Sequence, residues 1–264
     1  MACATRRLSL LVVLISLFLL HCSAFLASSS TRLQATSPVQ LLGRQARSLN
    51  GVRSLKCEIE LFGTQGSRSP LVNWYLHEIG QEFKVLPPAQ SPHPFGQIPY
   101  LRDGQVEVFE SGAILQYLAD KYGGEDTPEK RAKTAKWVVW ANATLDPIIF
   151  SMTARGGGLR SECKQMVILD NILAESDYLT GSNFTVADAA VGSYLLYIWQ
   201  FFPDVSLARY PRVVAYMARL AGRPAYRRAF GDRVTDFLLQ KCEVDASSGE
   251  SGSSSGGKKF MGLF

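Results

Sequence analysis

Residues 93–118 read HPFGQIPYLRDGQVEVFESGAILQYL, and the order of signals in this stretch decides how the rest of the chain is organised. Asp103-Gly104 separates two short alternating runs, 100–102 and 106–109, and both residues tolerate the positive φ of a tight hairpin turn. The second run stops at Glu110-Ser111. Apolar residues then recur at helical spacing to Lys121, and Gly123-Gly124 ends the pattern. Pro99 stands at the mouth of the first run. A proline there removes a ladder donor, so it needs an edge position or a special reason.

Upstream, EIELFG at 58–63 alternates and is β-rich, so it reads as a first strand. Ser69-Pro70 reads as an N-cap with proline at N1, opening a helix to about Ile79. Residues 83–86 make a second strand, stopped by Pro87-Pro88. The order is therefore βαβ, a ββ hairpin and a helix, which closes into a small thioredoxin-like sheet. Everything downstream is helical in pattern: 127–154, 162–179, 185–200, 211–220 and a short last helix opened by Pro224. The fold class is thus α+β in a thioredoxin-like N-terminal domain (58–124), followed by an all-α C-terminal domain (125–242). Residues 243–264, with SSGESGSSSGG and a KKFMGLF end, read as a flexible tail.

The charge balance divides the chain. Residues 1–57 hold Arg6, Arg7, Arg32, Arg44, Arg47, Arg53 and Lys56 and no acid. Subtracting those seven from the 28 Lys and Arg leaves 21 against 23 Asp and Glu, so residues 58–264 carry about −2. The basicity belongs to the N-terminal segment, and no nucleic-acid partner is expected. Arg6-Arg7 before the thirteen-residue run Leu8 to Leu20 has the form of a signal peptide. That run is short for a membrane span, which needs roughly 20 residues, and no stable span is expected in the mature protein. The acid-free stretch after Ala24-Phe25 is transit-peptide-like. Together they resemble the bipartite presequences of algae with secondary plastids, which implies plastid targeting. The alternative is secretion or the endomembrane lumen.

Five cysteines without a CxxC, and three histidines without ligand spacing to acids or cysteines, give no expectation of a structural metal. The sequons at Asn142 and Asn183 fall in or at helices and read as chance matches. Thr185-Val-Ala-Asp188 has the shape of a capping box and reads as structural.

From Glu58 to Asp232 the chain resembles the glutathione transferases. The resemblance is carried by FGTQGSRSPLVNWYLHE, HPFGQIPYL, FESGAI, FTVADAA and YPRVVAYMARLAGRPAY in this order and spacing. It implies a cis bond between Ile98 and Pro99, with the Ile98 N–H and C=O left to pair with the cysteinyl unit of glutathione as an added strand. It also implies that Glu110 and Ser111, at a helix start, hold the charged γ-glutamyl head group. His93 and Gln97 belong to the same implied glutathione set. A serine-type member activates the thiol with a hydroxyl, and Ser67 and Ser69 are the candidates. Ser67 falls at the family's position, while Ser69 is also explained as the N-cap. No cysteine occupies this loop, so thiol-transferase chemistry is not expected.

The implied enzyme conjugates glutathione, as co-substrate and without a cofactor, to a small apolar electrophile, and it acts as a homodimer. Trp137, Trp140 and Tyr197 are candidates for the electrophile pocket or simply core. Two departures stand out. Leu71 replaces an arginine common in relatives. PPAQSP at 87–92 is far shorter than the helix-bearing segment that normally holds the glycine carboxylate, leaving Gln90, His93 and distant Lys84 as stand-ins. The alternative to an enzyme is a non-catalytic binding or scaffold module of the same fold.

Overall fold

The structure is a computed structural model that describes residues 58–151 and 157–252. Residues 1–57, expected to be a targeting segment, and the KKFMGLF end lie outside the described residues.

Strand β1 (Ile59–Phe62) pairs in parallel with β2 (Phe83–Leu86), Ile59 facing Phe83 and Phe62 facing Leu86. Helix α1 (Ser69–Glu78) connects them. On its other side β1 runs antiparallel to β3 (Tyr100–Asp103), which turns into β4 (Val106–Phe109), so the sheet order is β2-β1-β3-β4. Asp103 pairs with Val106. The hairpin loop is thus Gly104-Gln105 rather than Asp103-Gly104, with Gly104 at φ 63° in the first central position. Asp103 was expected in the turn because its residue type suits one. Instead its side chain is buried and accepts from Tyr117 Oη (2.8 Å), Tyr122 Oη (2.7 Å) and Lys121 Nζ (2.6 Å). These three donors all lie on or just after helix α2 (Ser111–Lys121) and tie the hairpin to it.

The helical part begins with α3 (Pro128–Trp140), capped by Thr127, whose hydroxyl accepts from the Lys130 amide. The helix expected at 127–154 runs from Pro128 to Phe150 with a change of winding inside it. One π-helical turn (Ala141–Leu145) and a short α4 (Asp146–Phe150) follow α3, because Pro147 cannot donate to the ladder. Then come α5 (Lys164–Ile172), α6 (Val186–Phe201), α7 (Pro211–Ala221), α8 (Pro224–Phe230) and α9 (Asp232–Gly252). The expected helix at 162–179 stops at Ile172, and residues 178 and 181 pair in an isolated bridge. Helix α9 is a second correction. The tail read as flexible from 243 is helical through Gly252, and Leu238, Cys242 and Asp245 are buried on one face of α9. Asp245 accepts from the Leu207 amide (2.5 Å), which anchors that helix deep into the supposed tail.

From Val186 to Trp199 every residue of α6 is buried, as a helix apolar all round must be. Asp188 caps it from within, accepting from the Thr185 amide (2.8 Å), the Leu179 amide (2.9 Å) and Tyr216 Oη (2.9 Å), so the TVAD motif is structural. One apolar core runs from Ile59 in the sheet to Cys242 in α9. Trp74 of α1 links its two ends, with its ring 5.0 Å from Tyr226 and 5.4 Å from Phe184. Beside it Arg223 grips Glu78 through two hydrogen bonds (2.7 and 2.8 Å) while lying 4.2 Å over the Phe184 ring. The sheet and helices therefore share one core and a largely buried ion pair, and a cleft lies between them. Among the described residues no helix is long and apolar enough to cross a membrane.

Candidate functional site

The cleft, of about 550 Å³, is lined by Arg68, His93, Gln97, Ile98, Pro99, Glu110, Ser111, Asn142, Asp146 and Tyr194. Six of the eight site residues expected from the sequence therefore meet in one place: His93, Gln97, Ile98, Pro99, Glu110 and Ser111.

The Ile98–Pro99 bond is cis. Ile98 precedes β3, whose ladder starts at Tyr100, and its N–H and C=O have no backbone partner among the described residues. An extended peptide can take up both. Opposite, Glu110 has φ 68° and ψ 120°, a left-handed conformation that a side chain adopts only under constraint. It is the price of turning β4 abruptly into α2, and it puts the start of α2, where the first amides have no partner within the helix, at the cleft that Glu110 and Ser111 line. Ser111 is buried, and its hydroxyl reaches Asn142 Oδ1 at 3.4 Å.

His93 is buried beneath the cleft floor. Its Nδ1 accepts from the Phe95 amide (3.0 Å), and its ring lies 4.8 Å from that of Phe109. With Nδ1 an acceptor, the neutral ring carries its proton on Nε2, so His93 presents a donor. The other stand-ins for the shortened loop do not reach the cleft. Gln90 closes a 3₁₀ turn (Pro88–Gln90), and Lys84 pairs with Glu58.

Ser67 and Ser69 do not line the cleft. Ser67 Oγ donates to the Thr64 carbonyl (2.8 Å), accepts from the Ser69 amide (3.0 Å) and lies 2.8 Å from Ser69 Oγ. Ser69 is not the N-cap. The helix starts at Ser69 with Arg68 in the cap position, and the hydroxyl that satisfies the first turn is that of Ser67. Ser69 is instead buried against Gly63, where any side chain would collide with its hydroxyl. Trp137, Trp140 and Tyr197 do not line the cleft either. Tyr197 is buried below it, its hydroxyl 3.4 Å from the Ser67 carbonyl, and burial holds its pKa far above the usual phenol value. The described cysteines, Cys163 and Cys242, are both buried, and burial pushes the Cys242 thiol up to about 12, so neither is poised as a nucleophile.

Four lining residues escaped the sequence reading. Asn142 and Asp146 come from the π-turn and the residue after it, whose wider winding brings both to the cleft side. Tyr194 comes from the middle of α6. Its hydroxyl donates to Asn142 Oδ1 (3.0 Å) and accepts from Arg68 Nε (3.1 Å), while Arg68 Nη2 pairs with Asp146. The Asn142 amide donates to the Val138 carbonyl (2.8 Å), so the supposed sequon is used internally. The result is one hydrogen-bonded chain from Ser111 through Asn142 and Tyr194 to Arg68 and Asp146. The one sequence signal for it was Asn142-x-x-x-Asp146 on a helix flanked by Pro147, a common spacing with little meaning alone.

Residues 58–120 match the model of the N-terminal domain of glutathione S-transferase, and residues 165–219 match that of its C-terminal domain. Glutathione S-transferase 3 of Zea mays is 32% identical over 187 residues, spanning 58% of this chain and 84% of the relative. Glutathione S-transferase GstB of Escherichia coli K12 is 29% identical over 171 residues, 56% of this chain and 81% of that one. Among solved structures, glutathione S-transferase-I bound with lactoylglutathione superimposes with a TM-score of 0.56 at 27% identity, over 66% of this chain and 98% of that one. With these relatives, and with the cis proline and strained helix start placed on one cleft, the chain belongs to the glutathione transferase family of enzymes.

Proposed function

We propose that the protein joins the thiolate of glutathione to a small electrophile whose reacting part is apolar. One observation carries the reading: the unpaired backbone edge of Ile98 faces the strained N-terminus of α2 across a single cleft. The Ile98 N–H and C=O take the cysteinyl unit as an added strand. The first amides of α2 and the Ser111 hydroxyl take the γ-glutamyl carboxylate, and Glu110 takes its ammonium. His93 Nε2–H and Gln97 serve the glycine carboxylate in place of the missing basic loop. Ser67 serves the thiol once its hydroxyl turns from the Thr64 carbonyl. The faces of Phe150 and the exposed Phe201, 5.4 Å apart, offer the electrophile an apolar wall.

A second reading, a binding module without turnover, is favoured by the engagement of the Ser67 hydroxyl with Thr64. Titration of the full chain with glutathione, followed by a conjugation assay with a neutral chloronitroaromatic, separates the two. Binding with turnover supports the enzyme, binding alone the module, and absence of binding overturns both.

We also propose a homodimer. The exposed Phe95, Val106 and Phe109 on one edge, and Val139 on a groove of about 360 Å³ between α2 and α3, support it. Light scattering of the wild type and of Phe95→Ser tests it, a monomeric wild type refuting it. Plastid import rests on the pattern of residues 1–57. A fusion of that segment to a fluorescent protein should enter the plastid, and secretion of the fusion would refute it.

A further inference from the structure

We propose that Arg68 is a second thiolate-stabilising group in this cleft, acting through its charge on the sulfur of bound glutathione beside or in place of the Ser67 hydroxyl; this rests on the glutathione reading above.

The reasons lie in what faces the cleft and what does not. Ser67 has a single proton, and the Thr64 carbonyl accepts from its oxygen, which in turn accepts from the Ser69 amide. It is not a lining residue. Arg68, the next residue, is. It is the only Lys or Arg lining the cleft among the described residues, where Glu110 and Asp146 both present carboxyl groups. A thiolate placed there without Arg68 would meet two carboxylates and no permanent cation. A thiol pKa near 8.5 falls beside Arg or Lys and rises among anions.

The guanidinium is also held still. Nε donates to Tyr194 Oη, Nη2 pairs with Asp146, and the group lies over the rings of Tyr194 (5.6 Å) and Phe150 (5.8 Å). A guanidinium has five N–H donors, and these partners use two. Nη1 has no hydrogen-bond partner among the described residues, so donors remain for an anion. Arg68 is on the loop at the start of α1, and it crosses from there to α4 and α6. It therefore sits where the cysteinyl unit held at Ile98 must meet an electrophile coming from the helical side.

The titratable and charged groups facing this space are Asp146 on α4, Tyr194 on α6, Glu110 at the start of α2 and His93 in the loop before β3, with Tyr197 of α6 buried beneath them. Burial and proximity to Tyr194 keep the Tyr197 phenol protonated, and burial does the same for Tyr194. Neither supplies a charge at neutral pH. In the step itself the glutathione thiol loses its proton to solvent. The thiolate then attacks the ring carbon of the chloronitroaromatic, a C–S bond forms, and the C–Cl bond breaks with chloride leaving on the electron pair. Arg68 stays protonated throughout.

The test titrates the ultraviolet absorbance of the thiolate in the glutathione complex of the full-length wild type, Arg68→Met and Asp146→Asn, with S-methylglutathione as a thiol-free measure of binding. Arg68→Met should raise the thiol midpoint by about one pH unit or more, a roughly tenfold loss of thiolate well below the midpoint, with little change in S-methylglutathione affinity. Asp146→Asn leaves the cation and removes a neighbouring anion, so its midpoint should fall or stay. If the Arg68–Asp146 tie were only structural, both variants would shift together, and that result overturns the proposal. So does an unmoved midpoint in Arg68→Met. Should Arg68→Met fail to fold, a raised midpoint in Asp146→Asn still overturns it and a lowered one supports it. Failure of the wild type to bind S-methylglutathione would instead sink the glutathione reading itself, and the Arg68 role with it.

Discussion

Ser67 Oγ accepts from the Ser69 amide at 3.0 Å, so the serine proposed to serve the thiol is also the hydroxyl that completes the first turn of α1. The two uses compete for one side chain. Ser67→Ala should therefore lower stability by about 1 kcal/mol, the usual worth of a capping hydroxyl. It should also raise the pH midpoint of glutathione conjugation. Urea unfolding and a pH–rate profile read the two effects separately. An unchanged profile in Ser67→Ala together with a shifted one in Ser69→Ala would move the thiolate role to Ser69.

Glu110 is the one non-glycine residue with positive φ among the described residues. Glycine takes that conformation freely. Glu110→Gly should then keep or raise stability, by up to about 1 kcal/mol, while weakening glutathione binding by about 1–3 kcal/mol through loss of the carboxylate. A thermal melt and calorimetry on the same preparation check it. Unchanged affinity would remove Glu110 from the head-group site.

Gly112 brings α2 close to the π-turn. A Cβ there would lie 2.8 Å from Asn142 Nδ2 and 3.3 Å from Val138 Cγ1. Gly112→Ala should push the Asn142 amide aside, break the chain from Ser111 to Tyr194, and cost about 1–3 kcal/mol by overpacking. Denaturant midpoints measure the loss. A neutral substitution would mean that the two helices separate more easily than this contact implies.

The Asp103 cluster predicts an acid limb of stability. Burial alone would raise its carboxyl pKa, but the hydrogen bonds from Lys121, Tyr122 and Tyr117 outweigh it and hold the group below the usual carboxylate range. A folded-state pKa below the unfolded one means that the stabilisation is present above the unfolded value, near 3.9, and lost as pH falls through the folded one. Asp103→Asn should flatten the pH dependence of unfolding below about pH 4 and cost about 2–3 kcal/mol at pH 7. Unfolding curves from pH 2 to 7 on both proteins decide it, and parallel pH dependence would remove Asp103 from the acid limb.

Local signals in the chain carried most of the fold. The hairpin runs, the prolines at 70, 128, 211 and 224, the capping box at Thr185–Asp188 and the apolar periods all act through nearest neighbours, so they survive reading in one dimension. The ends of elements were less legible. Helix α9 looked like a polar linker from Glu243 because its serines and glycines are poor helix formers, yet the buried Asp245 carboxylate, bonded to the Leu207 amide, anchors it. Asp103 suited a turn by type, but three donors on or beside α2 made it a strand residue.

The candidate site divides the same way. The half proposed to hold the peptide, from His93 to Ser111, is nearly contiguous, and the family resemblance carried by the motifs in that stretch singled it out. Its other half is assembled from residues far apart in the chain: Arg68 with Asp146, 78 positions on, and with Tyr194, 126 positions on. Nothing local marks those partners. Only the packing of α4 and α6 against the start of α1 decides that a guanidinium, a carboxylate and a phenol share one cleft. A hydrogen bond depends on a separation of about 3 Å in space, and chain distance carries no information about that until the core has closed.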